Sequence, residues 1–153
     1  IYPSNYIQSM IKEINKYNGF ISYHGVIFKH PFKSFTNSKI TYHFRRFVDN
    51  DYLVNLVGTG VMGYDADIIK IPLDIFKHKN MADIFIAIFA KNKKIPCMVI
   101  KHKKNYLKDY YKENLFFFFL FKSFISNISN KSKKNDNIQT QLIKHNVPWD
   151  INQ

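Results

Sequence analysis

A chain of 153 residues, 46% of them hydrophobic, is long enough for one domain with a real core, and its apolar fraction is ordinary for a globular protein. Its single cysteine, Cys97, lies in the apolar run Ile95 to Ile100, which excludes a disulfide framework or a cysteine-built metal site and predicts a buried structural thiol. Lys and Arg outnumber Asp and Glu by 23 to 11, a formal net charge of +12 that favours phosphates, nucleic acid or anionic lipid as neighbours without choosing among them. A bias toward A/T-rich codons would produce the same excess of Lys, Asn, Ile, Phe and Tyr with no ligand involved.

The chain opens without an initiator Met or a secretion-signal pattern at Ile1. After Pro3 and Ser4, the apolar positions Tyr6 or Ile7, Met10, Ile11, Ile14 and Tyr17 recur at helical spacing and Asn18-Gly19 closes the run, predicting an amphipathic helix. Gly19 to Phe28 is rich in β-branched and aromatic residues and is bounded by Pro31, which predicts a buried strand. A helix followed by a strand implies an α/β layer.

Lys29 to Asp51 is polar, aromatic and irregular, with Arg45-Arg46 near its end, and predicts an excursion with one short strand around Ile40 to Phe44. Leu53 to Val57 and Val61 to Tyr64 are short apolar runs on either side of Gly58-Thr59-Gly60, the pattern of a strand entering a turn. Asn80 is placed to cap a helix whose apolar positions Ile84, Phe85, Ile88 and Phe89 share one face, and Ile95 to Ile100 is a further strand.

Beyond His102 the composition shifts. Tyr106 to Tyr111 predicts a short helix, Leu115 to Phe121 is almost wholly aromatic, Asn127 to Asn137 is an exposed Ser/Asn/Lys stretch, and the tail regains helical spacing from Ile138 before Pro148-Trp149. The apolar run from Leu115 to Ile128 is about 14 residues long and is interrupted by Lys122, short of the roughly 20 needed to span a bilayer, so a core or interfacial helix is expected.

The most informative pairing is Gly58-Thr59-Gly60 with Asp83 about twenty residues later. Glycines on alternate positions bring backbone close to a ligand and admit φ > 0 at little steric cost. No third glycine follows at the dinucleotide-binding offset and no P-loop lysine is present. Asp83, at the start of the helix, suits a general base for a hydroxyl, and Asn80-x-x-Asp83 also fits a capping arrangement in which the acidic side chain reaches back to the cap.

In this order the elements from Ile1 to Tyr106 resemble the second half of a GT-A type nucleotide-sugar glycosyltransferase, of the bacterial family-2-like group that builds capsule and lipopolysaccharide. Such enzymes carry an acidic cluster followed by Tyr-Pro and a helix, and this chain opens Ile1-Tyr2-Pro3-Ser4-Asn5-Tyr6-Ile7. Ile21-Ser22-Tyr23-His24-Gly25 is similar to the strand after that helix, Gly58-Thr59-Gly60 to the loop beneath donor sugar and acceptor, and Asn80-Met81-Ala82-Asp83-Ile84 to the motif whose acidic residue faces the acceptor hydroxyl. Many relatives read Glu-Asp where this chain has Ala82-Asp83, which leaves one carboxylate in place of two.

The resemblance implies an α/β fold, the C-terminal portion of a Rossmann-like, mixed-sheet GT-A domain incomplete at its N-terminus. Residues 1–106 would be the acceptor and catalytic half, and 107–153 a helical extension with a flexible basic segment at 127–137. It implies Asp83 as catalytic base, with Gly58, Thr59, Gly60, His24 and Trp149 binding substrate, the last by stacking on a sugar or acting as a lid. A divalent metal, Mn²⁺ or Mg²⁺, would be held chiefly by aspartates ahead of Ile1, with His145 as a late ligand to metal or diphosphate, and the isolated chain is then expected not to transfer sugar. The implied partners are a UDP-sugar donor and a saccharide acceptor, with no nucleic acid. The implied location is cytoplasmic, with peripheral contact at the inner face of the cytoplasmic membrane. The alternative is a non-catalytic basic α/β module that associates with an anionic membrane surface through Lys101 to Lys104 and Lys131 to Lys134, or with nucleic acid. Against the latter, the aromatic residues cluster in apolar runs where a stacking surface would interleave them with basic ones.

Overall fold

A computed structural model describes residues 2–108, 135–146 and 148–149. The fold is α/β with a mixed sheet. The expected aromatic run from Leu115 to Phe121, Lys131 to Lys134 and most of the 127–137 segment lie outside the described residues. So does the second half of the Tyr106 to Tyr111 helix, while its described residues, 106–108, are not helical.

Helix α1 spans Tyr6–Tyr17 and ends at Asn18, whose φ of 50° is left-handed and whose N–H donates to the Ile14 carbonyl. That left-handed residue is Asn18 and not the neighbouring glycine, a role asparagine tolerates because its short polar side chain limits the steric cost. Tyr6, Met10, Ile14 and Tyr17 pack inward against Ile21, Tyr23 and Met98. Ile7 and Ile11, which share the helical spacing, are instead exposed.

The expected strand from Gly19 to Phe28 is two strands. β1 (Phe20–Ser22) lies in a four-stranded sheet, and β2 (Gly25–Phe28) lies in a separate three-stranded one. The break falls at Tyr23-His24, where the chain leaves one sheet for the other. Both halves are almost wholly buried, so the strand-like composition on either side hides the corner. β3 (Lys39–Tyr42) pairs antiparallel with β2.

The run from Leu53 to Val57 divides in the same way. β4 (Tyr52–Leu53) pairs antiparallel with the late strand β7 (Cys97–Val99), whereas β5 (Leu56–Val57) joins β2 in the second sheet. After a 3-10 turn at Thr59–Val61, β6 (Met62–Gly63) returns to pair antiparallel with β1. β1 and β7 run parallel at the centre of the four-stranded order β4-β7-β1-β6. The second sheet has the order β3-β2-β5 and is antiparallel throughout.

Helix α2 (Ala82–Lys93) closes both sheets. Ile86 and Ala90 pack with Phe20 and Val99 of the mixed sheet, while Ile84 and Ala87 pack with Val26, Phe28 and Leu56 of the antiparallel one. Its buried residues Ile84 to Ala87 therefore run round the helix and are not confined to the single face of Ile84, Phe85, Ile88 and Phe89 that periodicity predicts. Burial of each large apolar side chain contributes about 1.5–3 kcal/mol, so packing, more than intrinsic propensity, holds this helix in place. A helix at 135–145 docks on the loop after β2, where Thr140 Oγ1 accepts from the Phe35 N–H and Asp136 from the Thr36 N–H.

Cys97 is buried in β7, and desolvation pushes its thiol up to about 12. Among the described residues no helix is long and apolar enough to cross a membrane.

Candidate functional site

The corner between β1 and β2 and the turn after β5 are stitched together by the Ser22 hydroxyl and one backbone bond. Ser22, fully buried at the end of β1, donates its hydroxyl to the Gly58 carbonyl at 3.0 Å and accepts the His24 N–H at 3.1 Å. The Gly58 N–H in turn donates to the His24 carbonyl at 2.8 Å. These three bonds fix the position of the 58–60 loop relative to both sheets.

The two loop glycines differ in what the fold asks of them. Neither takes up a positive φ, and Gly58 is extended at φ −77°, ψ 116°, so the left-handed freedom that glycines offer is not used here. Gly58 is needed for another reason. A Cβ there would lie 2.7 Å from Cδ2 of His24, inside any real carbon contact.

Thr59 meets the start of α2. Its backbone N–H donates to Asp83 Oδ1 at 2.9 Å, and its hydroxyl donates to the same oxygen. The expected capping arrangement is not formed, because the cap position is Met81 with no side-chain cap bond and Asn80 is left-handed at φ 60°. The Asp83 carboxylate reaches across to the loop instead of back along its own helix. Oδ1 is thereby committed to Thr59, and among the described residues Oδ2 receives no hydrogen bond.

His24 stands beside this pair. Its ring packs at 85° to the His43 ring with centroids 5.1 Å apart, and Phe44 lies behind at 6.2 Å. Burial, then the neighbouring His43, depress its pKa, with Asp83 opposing and Lys39 adding to the depression. Nδ1 is enclosed and has no hydrogen-bond partner among the described residues. An N–H there would be an unsatisfied buried donor, so the neutral ring carries its proton on Nε2. His43 accepts the Arg45 N–H on its own Nδ1 at 3.2 Å, which places its proton on Nε2 as well when neutral.

Gly60 and Tyr2 complete the cluster, the Tyr2 hydroxyl donating to the Gly60 carbonyl at 3.3 Å. Of the residues the sequence singles out, the structure thus brings Gly58, Thr59, Gly60, Asp83 and His24 to one place. Sequence reasoning missed Tyr2, Ser22 and His43. His43 sits in an irregular segment with no periodic signal, and Ser22 sits inside an apolar run where a small polar residue reads as filler.

Trp149 and His145 are elsewhere. Trp149 is only 4% exposed and packs edge-on to Phe28 at 5.1 Å, with its indole N–H on the Ile143 carbonyl and its own carbonyl accepting from Asn55. A ring buried in this way offers no open face to stack on a sugar or to act as a lid. Its aromatic area goes to the core for the ordinary hydrophobic reason. His145 is exposed at the end of the 135–145 helix, with Nδ1 2.7 Å from the Gln141 carbonyl one turn back.

No group of three His, Cys, Asp or Glu side chains able to hold a metal ion occurs among the described residues. These residues do not themselves build the divalent-metal centre that the resemblance implies. No protein-family model matches the chain, and no curated protein matches it.

Proposed function

We propose that the cluster around Thr59 and Asp83 is the acceptor side of a GT-A type glycosyltransferase site, acting on a saccharide hydroxyl with a nucleotide-diphosphate sugar, UDP-linked, as donor. The observation that carries the reading is the pairing of Thr59 with one oxygen of Asp83. It orients a carboxylate at a loop and leaves its second oxygen without a hydrogen-bond partner among the described residues. A general base needs that arrangement, held firmly by one atom and open at the other.

In the proposed step the acceptor hydroxyl gives its proton to Asp83 Oδ2 while its oxygen forms a bond to the anomeric carbon of the donor sugar. The bond from that carbon to the diphosphate oxygen breaks, and the diphosphate leaves with the electron pair. His24, neutral and with its proton on Nε2, supplies a hydrogen-bond donor beside the carboxylate. The divalent cation implied by the resemblance finds no ligand set among the described residues and enters no step here.

The test is release of UDP by the full-length protein carrying these residues, with UDP-glucose, UDP-galactose and UDP-N-acetylglucosamine as donors. Asp83→Asn keeps an oxygen for Thr59 and removes the base, so turnover is expected to fall about 10²-fold or more, with thermal unfolding little changed. Turnover equal to that of the parent protein would overturn the assignment.

A further inference from the structure

Helix α2 carries Asp83 in its first turn, and its far end lines a cavity of about 540 Å³. Leu53, Ala87, Ile95 and Trp149 contribute apolar wall. Two polar groups of the same lining are already paired: both ends of the Asn55 amide are taken, and the Trp149 indole N–H is held by the Ile143 carbonyl. A volume of this size falls in the range of roughly 300–1,000 Å³ usual for small-molecule sites, which are mostly apolar with a few placed polar groups.

The charge on this lining has one sign. Lys91 and Lys94 are its charged side chains, and no Asp or Glu is among the lining residues. Lys91 is engaged, donating to the Asn146 carbonyl with its ammonium 5.1 Å from the centre of the Trp149 ring. Lys94 is exposed and makes no side-chain hydrogen bond or ion pair among the described residues. The C-terminal end of α2 sets roughly half a negative charge against an incoming anion, which two full ammonium charges outweigh.

Lys94 is also an unusual residue for its place. Among the described residues, the non-glycine positions with positive φ are Asn18, Asn80, Asn105 and Lys94, the last at 55°. Asparagine tolerates that conformation, and the residue that ends a helix in it is most often glycine. A lysine there carries a steric cost that the helix dipole does not call for, because Lys91 and Lys93 already complement it in the last turn.

We propose that this cavity binds a medium-chain aliphatic carboxylate, its alkyl chain lying along α2 from Ala87 and its head group meeting Lys94. From 87 to 94 the helix rises roughly 10 Å, the length of an extended chain of about eight carbons. The chain loses its apolar contact with water, and the carboxylate meets an ammonium that no described side chain engages. Neither Asp83 nor the 58–60 loop lines the cavity, so this site does not depend on the transferase reading.

Trp149 is the single tryptophan of the chain and lines the cavity, so its fluorescence reports occupancy. The protein is titrated with octanoate, acetate and octanol, and with ω-bromooctanoate, whose bromine quenches a nearby indole. The variants are Lys94→Asn, which suits a left-handed backbone and removes the charge, and Lys94→Arg, which keeps it, with thermal unfolding followed in parallel. Octanoate is expected to bind about tenfold or more tighter than either acetate or octanol, and the bromo derivative to quench Trp149. Lys94→Asn should weaken octanoate about tenfold, leave octanol unchanged and unfold at the parent temperature or higher, while Lys94→Arg should keep the parent affinity. Absence of octanoate binding, binding of the bromo derivative without quenching, octanol binding as tight as octanoate, or undiminished octanoate affinity in Lys94→Asn overturns the site.

Discussion

Thr59 and Asp83 are separated by 24 positions and converge on a single carboxylate oxygen, which accepts both the backbone N–H and the hydroxyl of the threonine. The contact ties the turn after β5 to the first turn of α2, so it joins two elements that no local pattern links. It also sets which carboxylate oxygen is structural and which is open.

The contribution of this pair to stability can be read by truncating each side. Asp83→Ala leaves both Thr59 donors without their acceptor at a partly buried site and is expected to cost about 1–3 kcal/mol in urea unfolding. Asp83→Asn, which retains Oδ1, should cost clearly less. Equal stability of the alanine variant and the parent protein would show that the two bonds do not hold the loop.

His24 predicts a pH dependence of definite sign. Burial, and then His43, lower its pKa in the folded state from the ordinary 6.5, so below that value the unfolded chain takes up a proton that the native ring resists. Stability should therefore fall as the pH drops from about 6.5 toward the folded-state value, and should be fully present above 6.5. Unfolding midpoints of the parent protein and of His24→Gln, taken from about pH 7.5 down to about pH 5.5, check this. The glutamine variant should show a shallower decline, and parallel curves for the two proteins would refute it.

Asn55 is the buried link between β2 and the tail. Its Oδ1 accepts the Phe28 N–H at 2.7 Å and its Nδ2 donates to the Trp149 carbonyl at 2.9 Å. Asn55→Ala orphans one buried donor and one buried acceptor and is expected to destabilise the protein by about 2–4 kcal/mol. Asn55→Asp keeps the first bond but replaces the donor to Trp149 with an acceptor, so it should not restore stability. Chemical unfolding followed by the fluorescence of Trp149 reports both effects. A loss below about 0.5 kcal/mol for the alanine variant, the ordinary scale of an inert surface change, would contradict the assignment.

Much of the fold was legible where the signal is local. Tyr6, Met10, Ile14 and Tyr17 announce α1 because a helix presents every third or fourth residue to one side, and Asn18 stops it because asparagine accepts the left-handed turn. Ile95 to Ile100 reads as a strand and contains β7. The corner at Tyr23-His24 is not legible, since the residues on both sides of it are buried and rich in β-branched and aromatic types, so they read as one strand. Nor is the inward face of α2, because a helix wedged between two sheets buries most of its circumference and loses its periodicity.

The candidate site divides along the same line. Gly58, Thr59, Gly60 and Asp83 stand out in the sequence as residue types with uses, but two readings of Asp83, a cap on its own helix or a carboxylate facing the loop, are equally compatible with its neighbours in the chain. Only the folded arrangement chose between them, by bringing Thr59 within hydrogen-bond reach. It likewise buried Trp149 and tied the Tyr2 hydroxyl to the Gly60 carbonyl. Amino-acid order by itself determined that helices form at α1 and α2 and a strand at β7, since those depend on torsional preference and periodicity over a few residues. Which side chains share a cleft depends on how the whole set of apolar faces packs at once, and that free energy is written in no single segment.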